Sequence, residues 1–503
     1  MLEYLTFRRF LLVLTVQLTT LLHGMSITVI AVVLPQMKGT LSATQDQIAW
    51  TITFNLVATA IATPMTGWLA ARLGWRNLLV GTVIGFTVST ALCGMADSLE
   101  ALVFYRILQG IFGAPLQPLG QGMLLASFPK HLHAMVLMMW GIGGVFGPVL
   151  GPVFGGVMAE AINWRWAFFA MVPFGVIGAV TAWIALDEHQ RGSYRSLDWF
   201  GIATLSIAIG AATLMLNRGQ RLDWFDSPEI ILETIVACLA FYLYLVHTFT
   251  AERPFFDRDL FVDRNFVMGL FLSLLMGMLS YTPMVMFPPM MKELAGYPES
   301  VIGYLLTARG IGNWMSFLIV VPLTRRWPRL CLALGLFFQA LSGFSMAQLD
   351  ANINEFDVFW MNVMQGFGFG LGYTPMATLA FSTLHERLAV EGSALFNVMR
   401  HFGSVVFISF SILILVYGTE YSYSDLRQWV SPFNELFSLG GAAGGWTHET
   451  LEGLAGLERE ARRQSAMIGY INSFYLFTIT AALSIPFVLL FRTTPKPSAD
   501  TGD

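Results

Sequence analysis

Long apolar stretches recur along the whole chain, and short polar segments separate them. A helix that crosses a bilayer needs about 20 apolar residues, and about fourteen stretches reach that length. The predicted spans are Phe10–Leu34, Ile48–Ala70, Asn77–Ala96, Leu99–Ser127, Met135–Glu160, Ala167–Leu186, Trp199–Leu216, Glu229–Phe249, Phe266–Met290, Ser300–Leu323, Arg329–Leu349, Phe356–Ser382, Gly392–Tyr417 and Met467–Phe491. The pattern therefore predicts an all-α integral membrane protein with about fourteen transmembrane helices.

The composition supports the same class. Hydrophobic residues make up 55% of the 503 residues and charged residues only 12%, whereas soluble domains carry about 25% charged residues. The net charge of −4 gives no sign of a nucleic-acid partner. Cys93, Cys238 and Cys331 each lie in an apolar stretch. They indicate buried small hydrophobes, not a disulfide framework or a metal site, and we expect no cofactor.

Basic residues are distributed unevenly between the two sets of predicted loops. With a cytoplasmic N-terminus, the inner loops hold most of them, such as Arg8, Arg9, Arg72, Arg76, Lys130, Arg325, Arg326 and Arg387, and the outer loops hold Lys38, Arg165, Arg218, Arg221 and Lys292. Cytoplasmic loops of membrane proteins carry an excess of Lys and Arg. We therefore predict a multi-pass protein of the inner (cytoplasmic) membrane with both termini in the cytoplasm.

The segment between the last two predicted spans, Gly418–Ala466, is the longest polar segment. We expect a long outer loop here, in which Glu449–Gln464 forms a short amphipathic helix at the membrane surface. Such a loop is either a mobile connection or a docking surface for an outer partner.

The chain resembles itself weakly. Tyr105–Gly110 in the fourth span matches Met361–Gly366 in the twelfth, and each is followed by glycines and a proline. Transporters built from two parallel halves show such symmetry and hold substrate between the halves near the midplane. Because the fourth span pairs with the twelfth, two extra helices remain in the middle. The predicted units are an N-terminal six-helix bundle over 1–198, two linker transmembrane helices over 199–250, and a C-terminal six-helix bundle over 251–503 with the outer loop 418–466.

Several segments carry a family resemblance. They are Gly67–Arg76 (GWLAARLGWR) after the second span, Leu102–Gly110 (LVFYRILQG), Gly143–Gly156 (GGVFGPVLGPVFGG), and the flanks Asn163–Trp166 and Leu197–Gly201. In these segments the chain resembles the fourteen-helix drug:proton antiporter group of the major facilitator superfamily, which contains the EmrB- and QacA-type exporters. The resemblance covers almost the whole chain, and the fifth-helix motif associated with exporters is its most specific part.

The resemblance implies a secondary active exporter of small amphipathic compounds, of the kind that gives multidrug resistance by proton-linked alternating access. It also implies the partners of that branch, a periplasmic adaptor protein and an outer-membrane channel. The residues expected to serve transport or gating are Arg106, Gln109, Gly110, Gly147, Pro148, Gly151, Pro152, Gly155, Gly74 and Arg76. Ala71 stands where the family normally has an acidic residue, which places the usual acidic latch of this loop in doubt.

The fifth-span motif also has a physical interpretation. Gly147, Gly151 and Gly155 recur every fourth residue and form a smooth stripe on one helix face. In lipid, small residues let another helix approach closely, and Pro148 and Pro152 favour a kink. The stripe is therefore a tight helix contact, a contact that opens and closes during transport, or both. Gly74 suits a tight turn.

Ionisable residues inside the membrane are functional candidates by default. The residues predicted to contact substrate or carry protons are His23, Ser26, Arg309, Arg400, His401, Gln117, Asn362 and Gln365. Further cavity walls are expected from Gln17, Gln109, Tyr281, Met284, Met286, Tyr373 and Met376. The structural alternatives are a hydrogen-bonding post for Arg106 and a packed polar core residue for His23.

A carboxylate is missing where the family's first helix usually has one, because Ser26 stands there. We find no other convincing carboxylate near the midplane of the twelve core helices. A cavity with arginines and no carboxylates should prefer anions, so we hypothesise weak acids as substrates. Expelling an anion from a negatively charged cytoplasm is downhill by about 2.3 kcal/mol per charge per 100 mV. If protons are exchanged, His23 is the leading titrating group, since histidine changes charge near neutral pH.

The sequence is also compatible with functions other than export. An importer or facilitator of a small organic solute is the closest alternative, and transport direction decides between them. A receptor or scaffold without flux is a third possibility. The chain has no phosphate-binding Gly-Lys-Ser/Thr loop, no Gly-x-Gly-x-x-Gly, no His-Glu-x-x-His and no nucleophile elbow. The sequence therefore argues against an enzyme.

Overall fold

The computed structural model describes residues 7–186, 197–252, 254–430 and 450–492. Within these ranges the chain forms helices joined by short turns and has no β-strand. The predicted all-α membrane fold is thereby confirmed.

The helices fall into two series along the chain. The first comprises α1 Phe7–Thr40, α2 Gln45–Ala62, α3 Thr66–Leu73, α4 Trp75–Gly94, α5 Leu99–Gly113, α6 Leu116–Ser127, α7 His133–Ala161, α8 Arg165–Phe169 and α9 Val172–Ala185. The second comprises α10 Trp199–Arg218, α11 Pro228–Thr250, α12 Asp259–Val262, α13 Arg264–Ala295, α14 Glu299–Arg326, α15 Pro328–Met346, α16 Glu355–Phe381, α17 Ala389–Trp429 and α18 Leu451–Ser484.

In the described ranges, 13 segments are long and apolar enough to cross a bilayer. They correspond to every predicted span except Phe356–Ser382. That span is α16, whose 27 residues suffice to cross a hydrocarbon core of about 30 Å. Its asparagine, glutamine, tyrosine and glycines lower its mean hydropathy. The prediction of about fourteen spans therefore agrees with the structure.

Proline and glycine mark two helix breaks in the first series. Pro115 separates α5 from α6, because proline has no N–H to donate within a helix, and both helices belong to one span, Leu99–Ser127. Gly74 lies between α3 and α4 with φ 81°, a conformation that side chains disfavour. The prediction of a tight turn at Gly74 is confirmed.

The described parts of the long outer loop predicted at Gly418–Ala466 are mostly helical. α17 continues to Trp429, and α18 begins at Leu451. Residues 431–449 of the predicted loop, including Glu449, lie outside the described residues. Glu452–Gln464 is not a separate surface helix but the first part of α18. Hydropathy detects lipid contact, so it misses helices that continue into water.

Arg463 anchors this projecting part of α18. Its Nε donates to Leu294 O at 2.9 Å and its Nη2 to Ala351 O at 2.6 Å. Leu294 lies at the end of α13, and Ala351 lies in the connection between α15 and α16. The two projecting helical segments are therefore a continuation of the bundle.

The helices pack in two groups. α1 packs against α7 and α9, and α4 packs against α5 and α9, while α2 packs against α5. In the second series α13 packs against α16 and α17, α14 against α16, and α15 against α16 and α18. α10 and α11 pack against each other, and α10 also contacts α2 and α17. These contacts agree with two bundles and an extra pair, although the exact domain boundaries stay a prediction.

The weak internal repeat has a structural counterpart. A methyl group on Gly110 would lie 2.6 Å from the Asn55 carbonyl oxygen on α2, and one on Gly366 would collide with the Arg309 carbonyl on α14. Gln109 Nε2 donates to Thr90 Oγ1 on α4 at 2.7 Å. At the matching position of the second bundle the direction is reversed, because Gln339 Nε2 on α15 donates to the backbone Gln365 O at 2.9 Å. The matching motifs therefore make matching helix contacts in the two bundles.

Candidate transport site

Direct contacts join the two bundles on one side of the membrane. We call this the start side, because α1 begins there. Asn397 Nδ2 donates to Gln121 Oε1 at 2.7 Å, and Lys130 Nζ donates to Ser382 O at 3.1 Å. A methyl group on Gly122 would lie 2.6 Å from Val390 Cα. The start side is therefore closed by packing of α6 against α17.

A small cavity lies near the middle of the spans, between the two bundles. Its volume is about 30 Å³, far below the roughly 300–1,000 Å³ of small-molecule sites. It is lined by Trp140, Gly141, Gly144, Pro148, Val149, Ser280, Tyr281, Met284, Arg309, Phe369, Tyr373 and Arg400. The structure therefore shows a constricted centre, which must widen to admit a drug-sized molecule.

Arg400 connects the cavity to the contact between the bundles. Its Nη2 donates to Gln117 Oε1 at 2.8 Å on α6 and to Asn397 Oδ1 at 2.9 Å. Its guanidinium lies 5.9 Å from the ring centres of both Trp140 and Tyr373. Its Nε has no hydrogen-bond partner among the described residues. Arg400 is buried but keeps unused donor capacity beside the cavity.

Arg309 lies in the same cavity on α14. It is 5% exposed, and its guanidinium lies 5.4 Å from the ring centre of Phe369. Its buried Nε lacks a hydrogen-bond partner among the described residues. A buried charge without a partner is costly. A ligand oxygen that accepts from Arg309 would lower this cost.

Among the described residues, the charged and histidine side chains that are buried include no Asp or Glu. They are Arg106, Arg309, Arg400, His23 and His133. The cavity-lining residues include no Asp or Glu. The local field in the cavity therefore favours negative charge.

Arg106 does not line this cavity. Its Nε donates to Thr51 O at 3.2 Å and its Nη1 to Ser26 O at 3.2 Å, so it joins α5 to α2 and α1. Nη1 also donates to Gln109 Oε1, and Asn55 Nδ2 donates to Arg106 O at 2.7 Å. This geometry matches the structural alternative of a hydrogen-bonding post that ties helices together.

The glycine stripe of α7 packs against α1, within the same bundle. A methyl group on Gly147 would lie 2.5 Å from Leu21 O, and one on Gly155 would lie 2.9 Å from Val29 Cγ2. Gly151 faces Met25 O, from which its methyl group would lie 2.9 Å away. Pro152 follows on the same helix, whereas the neighbouring Pro148 lines the cavity. The stripe is thus a close contact inside one bundle, not a contact between the bundles.

The two candidate histidines occupy different environments. His23 is 4% exposed, its ring centre lies 6.5 Å from that of Phe86, and its Nδ1 has no hydrogen-bond partner among the described residues. Ser26 Oγ donates to His23 O at 2.8 Å. His401 is only partly buried, and its Nε2 lies 3.3 Å from Gln117 Oε1. His401 therefore adjoins the Arg400 network, and His23 does not hydrogen-bond to it.

Several predicted wall residues lie outside the cavity lining. Asn362 Nδ2 donates to Val358 O at 2.9 Å, and Gln365 Nε2 donates to Leu279 O at 3.2 Å. Gln17 donates to Met139 O. The others are Gln109, in the Arg106 network, and Met286 and Met376, which are packed in the core. Tyr281, Met284 and Tyr373 do line the cavity.

The predicted gating residue Arg76 lies away from the cavity, at the loop between α3 and α4. Its guanidinium lies 4.1 Å from the ring centre of Trp183.

Four residues of this region escaped the sequence analysis. Trp140 stacks on Tyr373 with ring centres 5.5 Å apart, and Phe369 also stacks on Tyr373, at 5.7 Å. Asn397 and Gln121 hydrogen-bond between the bundles. Asn397 lies one turn before Arg400, and Gln121 lies one turn after Gln117. That helical spacing was the available signal.

Comparisons with known proteins agree with this architecture. Residues 17–408 match the model of the Major Facilitator Superfamily. The chain is similar to "Multidrug export protein EmrB" of Escherichia coli K12, with 30% identity over 431 residues, covering 84% of this chain and 83% of the relative. It is also similar to "Fatty acid resistance protein FarB" of Neisseria gonorrhoeae, with 32% identity over 393 residues and 77% of each chain covered.

A solved structure supports the fold. The proton:xylose symporter XylE bound to 6-bromo-6-deoxy-D-glucose superimposes with a TM-score of 0.61 at 12% sequence identity, covering 95% of each chain. The matched family model spans most of the chain, from the first helix to α17. The chain belongs to the Major Facilitator Superfamily of membrane transporters.

Proposed function

We propose that this protein exports small amphipathic compounds from the cell by alternating access, and that it prefers weak acids in their anionic form. The observation that carries this proposal is the pairing of Arg309 and Arg400 in one central cavity whose described lining has no carboxylate. Arginine donates planar, charge-assisted hydrogen bonds that suit a carboxylate. An apolar cation would meet two positive charges there.

The remaining walls suit the apolar part of such a substrate. Trp140, Tyr373 and Phe369 form a stack, and Met284 lies nearby on the opposite bundle from Trp140. Aromatic and methionine side chains accept varied apolar shapes. The name of FarB, a fatty acid resistance protein, fits a carboxylate with an apolar tail. The names of the EmrB relatives fit a broader range of compounds.

The contact between the bundles offers a route from binding to opening. Arg400 Nη2 donates a hydrogen bond to Gln117 Oε1 of the opposite bundle, at 2.8 Å. A carboxylate in the cavity competes with Gln117 for that guanidinium, because a charged acceptor binds more strongly than an amide. Substrate binding therefore weakens the closure on the start side. Alternating access by rocking of the two bundles then exchanges the closed side.

We place coupled protons on His23 and His401. Replacing both by glutamine should abolish the proton flux that substrate induces, and should leave export driven by the membrane potential. Substrate-induced proton flux in proteoliposomes and the flux of labelled substrate are to be measured in parallel. The single variants identify which histidine carries the effect. Unchanged proton flux in the double variant would remove both histidines from the mechanism.

The cellular placement is part of the proposal. We infer an inner-membrane location with both termini in the cytoplasm, from the distribution of basic residues. The start side is then cytoplasmic, and the projecting ends of α17 and α18 face the periplasm. Tyr421 and Trp429 are exposed there. These ends suit a periplasmic adaptor that connects to an outer-membrane channel.

Transport direction separates export from the importer or facilitator alternative. Inside-out membrane vesicles with an acidic lumen should accumulate labelled decanoate, in exchange for protons that leave the lumen. Right-side-out vesicles, which are acidic outside so that the same face of the protein meets the acidic solution, should extrude decanoate after preloading. Accumulation in right-side-out vesicles beyond that in vesicles without the protein would establish import. Equilibration without accumulation in both orientations would establish a facilitator.

A further inference from the structure

A second cavity opens sideways toward the lipid. It lies between α2, α10 and α11 and has a volume of about 400 Å³, within the range of about 300–1,000 Å³ typical of small-molecule sites. Val57, Ile61, Ile207 and Leu214 contribute to its lining, and apart from Ser206 and Glu233 the lining residues are apolar. α10 packs against both α2 and α11 and forms the floor between them. We call this cavity the lateral groove.

The lateral groove has the length and direction of one leaflet. Its lining residues on α10 run from Ser206 to Leu214, a rise of about 12 Å. Half of a bilayer's hydrocarbon core measures about 15 Å. Glu233 lies in the second turn of α11, and Arg218 is the last residue of α10. The polar end of the groove is thus at the membrane surface and its apolar end near the midplane.

The polar end carries an excess negative charge. Arg218 Nη1 pairs with Glu233 Oε1 at 2.6 Å, and Arg218 Nη2 pairs with Glu229 Oε2 at 2.5 Å. One guanidinium therefore faces two carboxylates. Glu233 also lines the groove, and its Oε2 is buried without a hydrogen-bond donor among the described residues. A buried carboxylate oxygen left in this way favours an additional N–H donor.

We propose that the lateral groove binds one acyl chain of a membrane phospholipid whose headgroup carries a primary ammonium, and that the buried Glu233 Oε2 turns into the groove to accept a hydrogen bond from this ammonium. The ammonium supplies both the missing positive charge and the missing donor. A quaternary ammonium has the charge but no N–H to donate. A purely anionic headgroup adds repulsion to the two glutamates. This assignment does not depend on which substrate the central cavity transports.

Lipid binding to the purified full chain tests the proposal. Native mass spectrometry in detergent would be run with phosphatidylethanolamine, phosphatidylcholine and phosphatidylglycerol that share the same acyl chains. We expect the wild type to bind phosphatidylethanolamine about tenfold more tightly than either competitor, the factor that corresponds to one charge-assisted hydrogen bond. Glu233→Gln should lose this preference, while Arg218 keeps its pair with Glu229.

A second pair of variants tests the acyl-chain part. Val236→Trp fills the groove and should reduce binding of phosphatidylethanolamine at least about tenfold. Ile235→Trp is its matched control, because Ile235 is a neighbouring β-branched residue, 56% exposed, that is not among the groove residues. It should bind lipid like the wild type. Purified monodisperse protein from each variant establishes that the fold is intact.

The same experiments contain the results that would overturn the assignment. Equal binding of the three lipids by the wild type, or an unchanged preference in Glu233→Gln, would rule out the ammonium contact. A dimer that Val236→Trp disrupts would assign the groove to a second copy of the chain. Displacement of bound lipid by a transported amphiphile, with no headgroup preference, would make it a substrate entry site.

Discussion

Replacing Arg400 with glutamine should weaken carboxylate binding about 10- to 100-fold, since a hydrogen bond to a charged group contributes about 1.5–3 kcal/mol. Arg400 lines the central cavity, and its Nε has no hydrogen-bond partner among the described residues. Glutamine removes the positive charge and most of the donors. Arg309→Gln should act in the same direction. The half-saturating concentration of decanoate in a transport assay measures the effect.

Two comparisons make the Arg400 result specific. Arg325→Gln removes one positive charge from an exposed position at the end of α14, so it should leave decanoate transport unchanged. Arg400→Lys keeps the charge and should retain part of the affinity. Residual transport of a lipophilic cation, measured at high concentration, should persist or improve in Arg400→Gln. Equal losses for acid and cation would mean that Arg400 acts through the fold and not through the charge of the substrate.

Gly147→Ala should destabilise the N-terminal bundle by about 1–3 kcal/mol, the usual cost of forcing extra atoms into a well-packed contact. The added methyl group would lie 2.5 Å from Leu21 O and 3.0 Å from Gly24 Cα, which are backbone atoms of α1. Because backbone cannot rotate away, the two helices must separate. The apparent melting temperature of the purified protein and its transport rate should both fall.

Gly156→Ala is the matched control for this change. It lies on the same helix, and its methyl group would lie 3.6 Å from Val32 Cγ1, an ordinary van der Waals contact. Alanine also favours a helix over glycine by about 1 kcal/mol, so stability should be equal or slightly higher. A Gly147→Ala protein as stable as Gly156→Ala would contradict the close α1–α7 contact.

Much of the fold could be predicted because every helix that crosses the lipid must be apolar over about 20 residues. Apolar runs of sufficient length marked the helices, and even α16 was found despite its glycines and amides. The projecting ends of α17 and α18 were missed because they extend beyond the lipid. Glu452–Gln464 is polar because it lies in water, and hydropathy does not distinguish a polar helix from a loop.

For the candidate site, the sequence predicted the residue types better than it predicted their contacts. The lack of a midplane carboxylate and the presence of Arg309 and Arg400 were evident from the sequence. Spacing also identified the glycine stripe as a close-contact face, but it could not name α1 as the partner. The acceptors of Arg106 lie 55 and 80 residues away along the chain. Such contacts follow from the packing of helices and leave no local pattern.

The lateral groove had no sequence signal at all. Val57, Ile61, Ile207 and Leu214 resemble any lipid-facing residues, and only the packing of α10 between α2 and α11 turns them into one concave surface. Glu229 and Glu233 fall within the predicted linker span Glu229–Phe249. Both pair with Arg218 because the turn after α10 places the start of α11 beside the end of α10.

We propose above all that the cavity selects anions and exchanges them for protons. Its most direct test uses purified protein in proteoliposomes with an imposed pH gradient and a proton-sensitive dye inside. Decanoate and tetraphenylphosphonium are added in turn, and protein-free liposomes correct for passive permeation of the acid. A protein-dependent proton signal with decanoate alone is the predicted result. A signal with tetraphenylphosphonium, at equal or lower concentration, would contradict the anion preference and show that a cation can occupy the site.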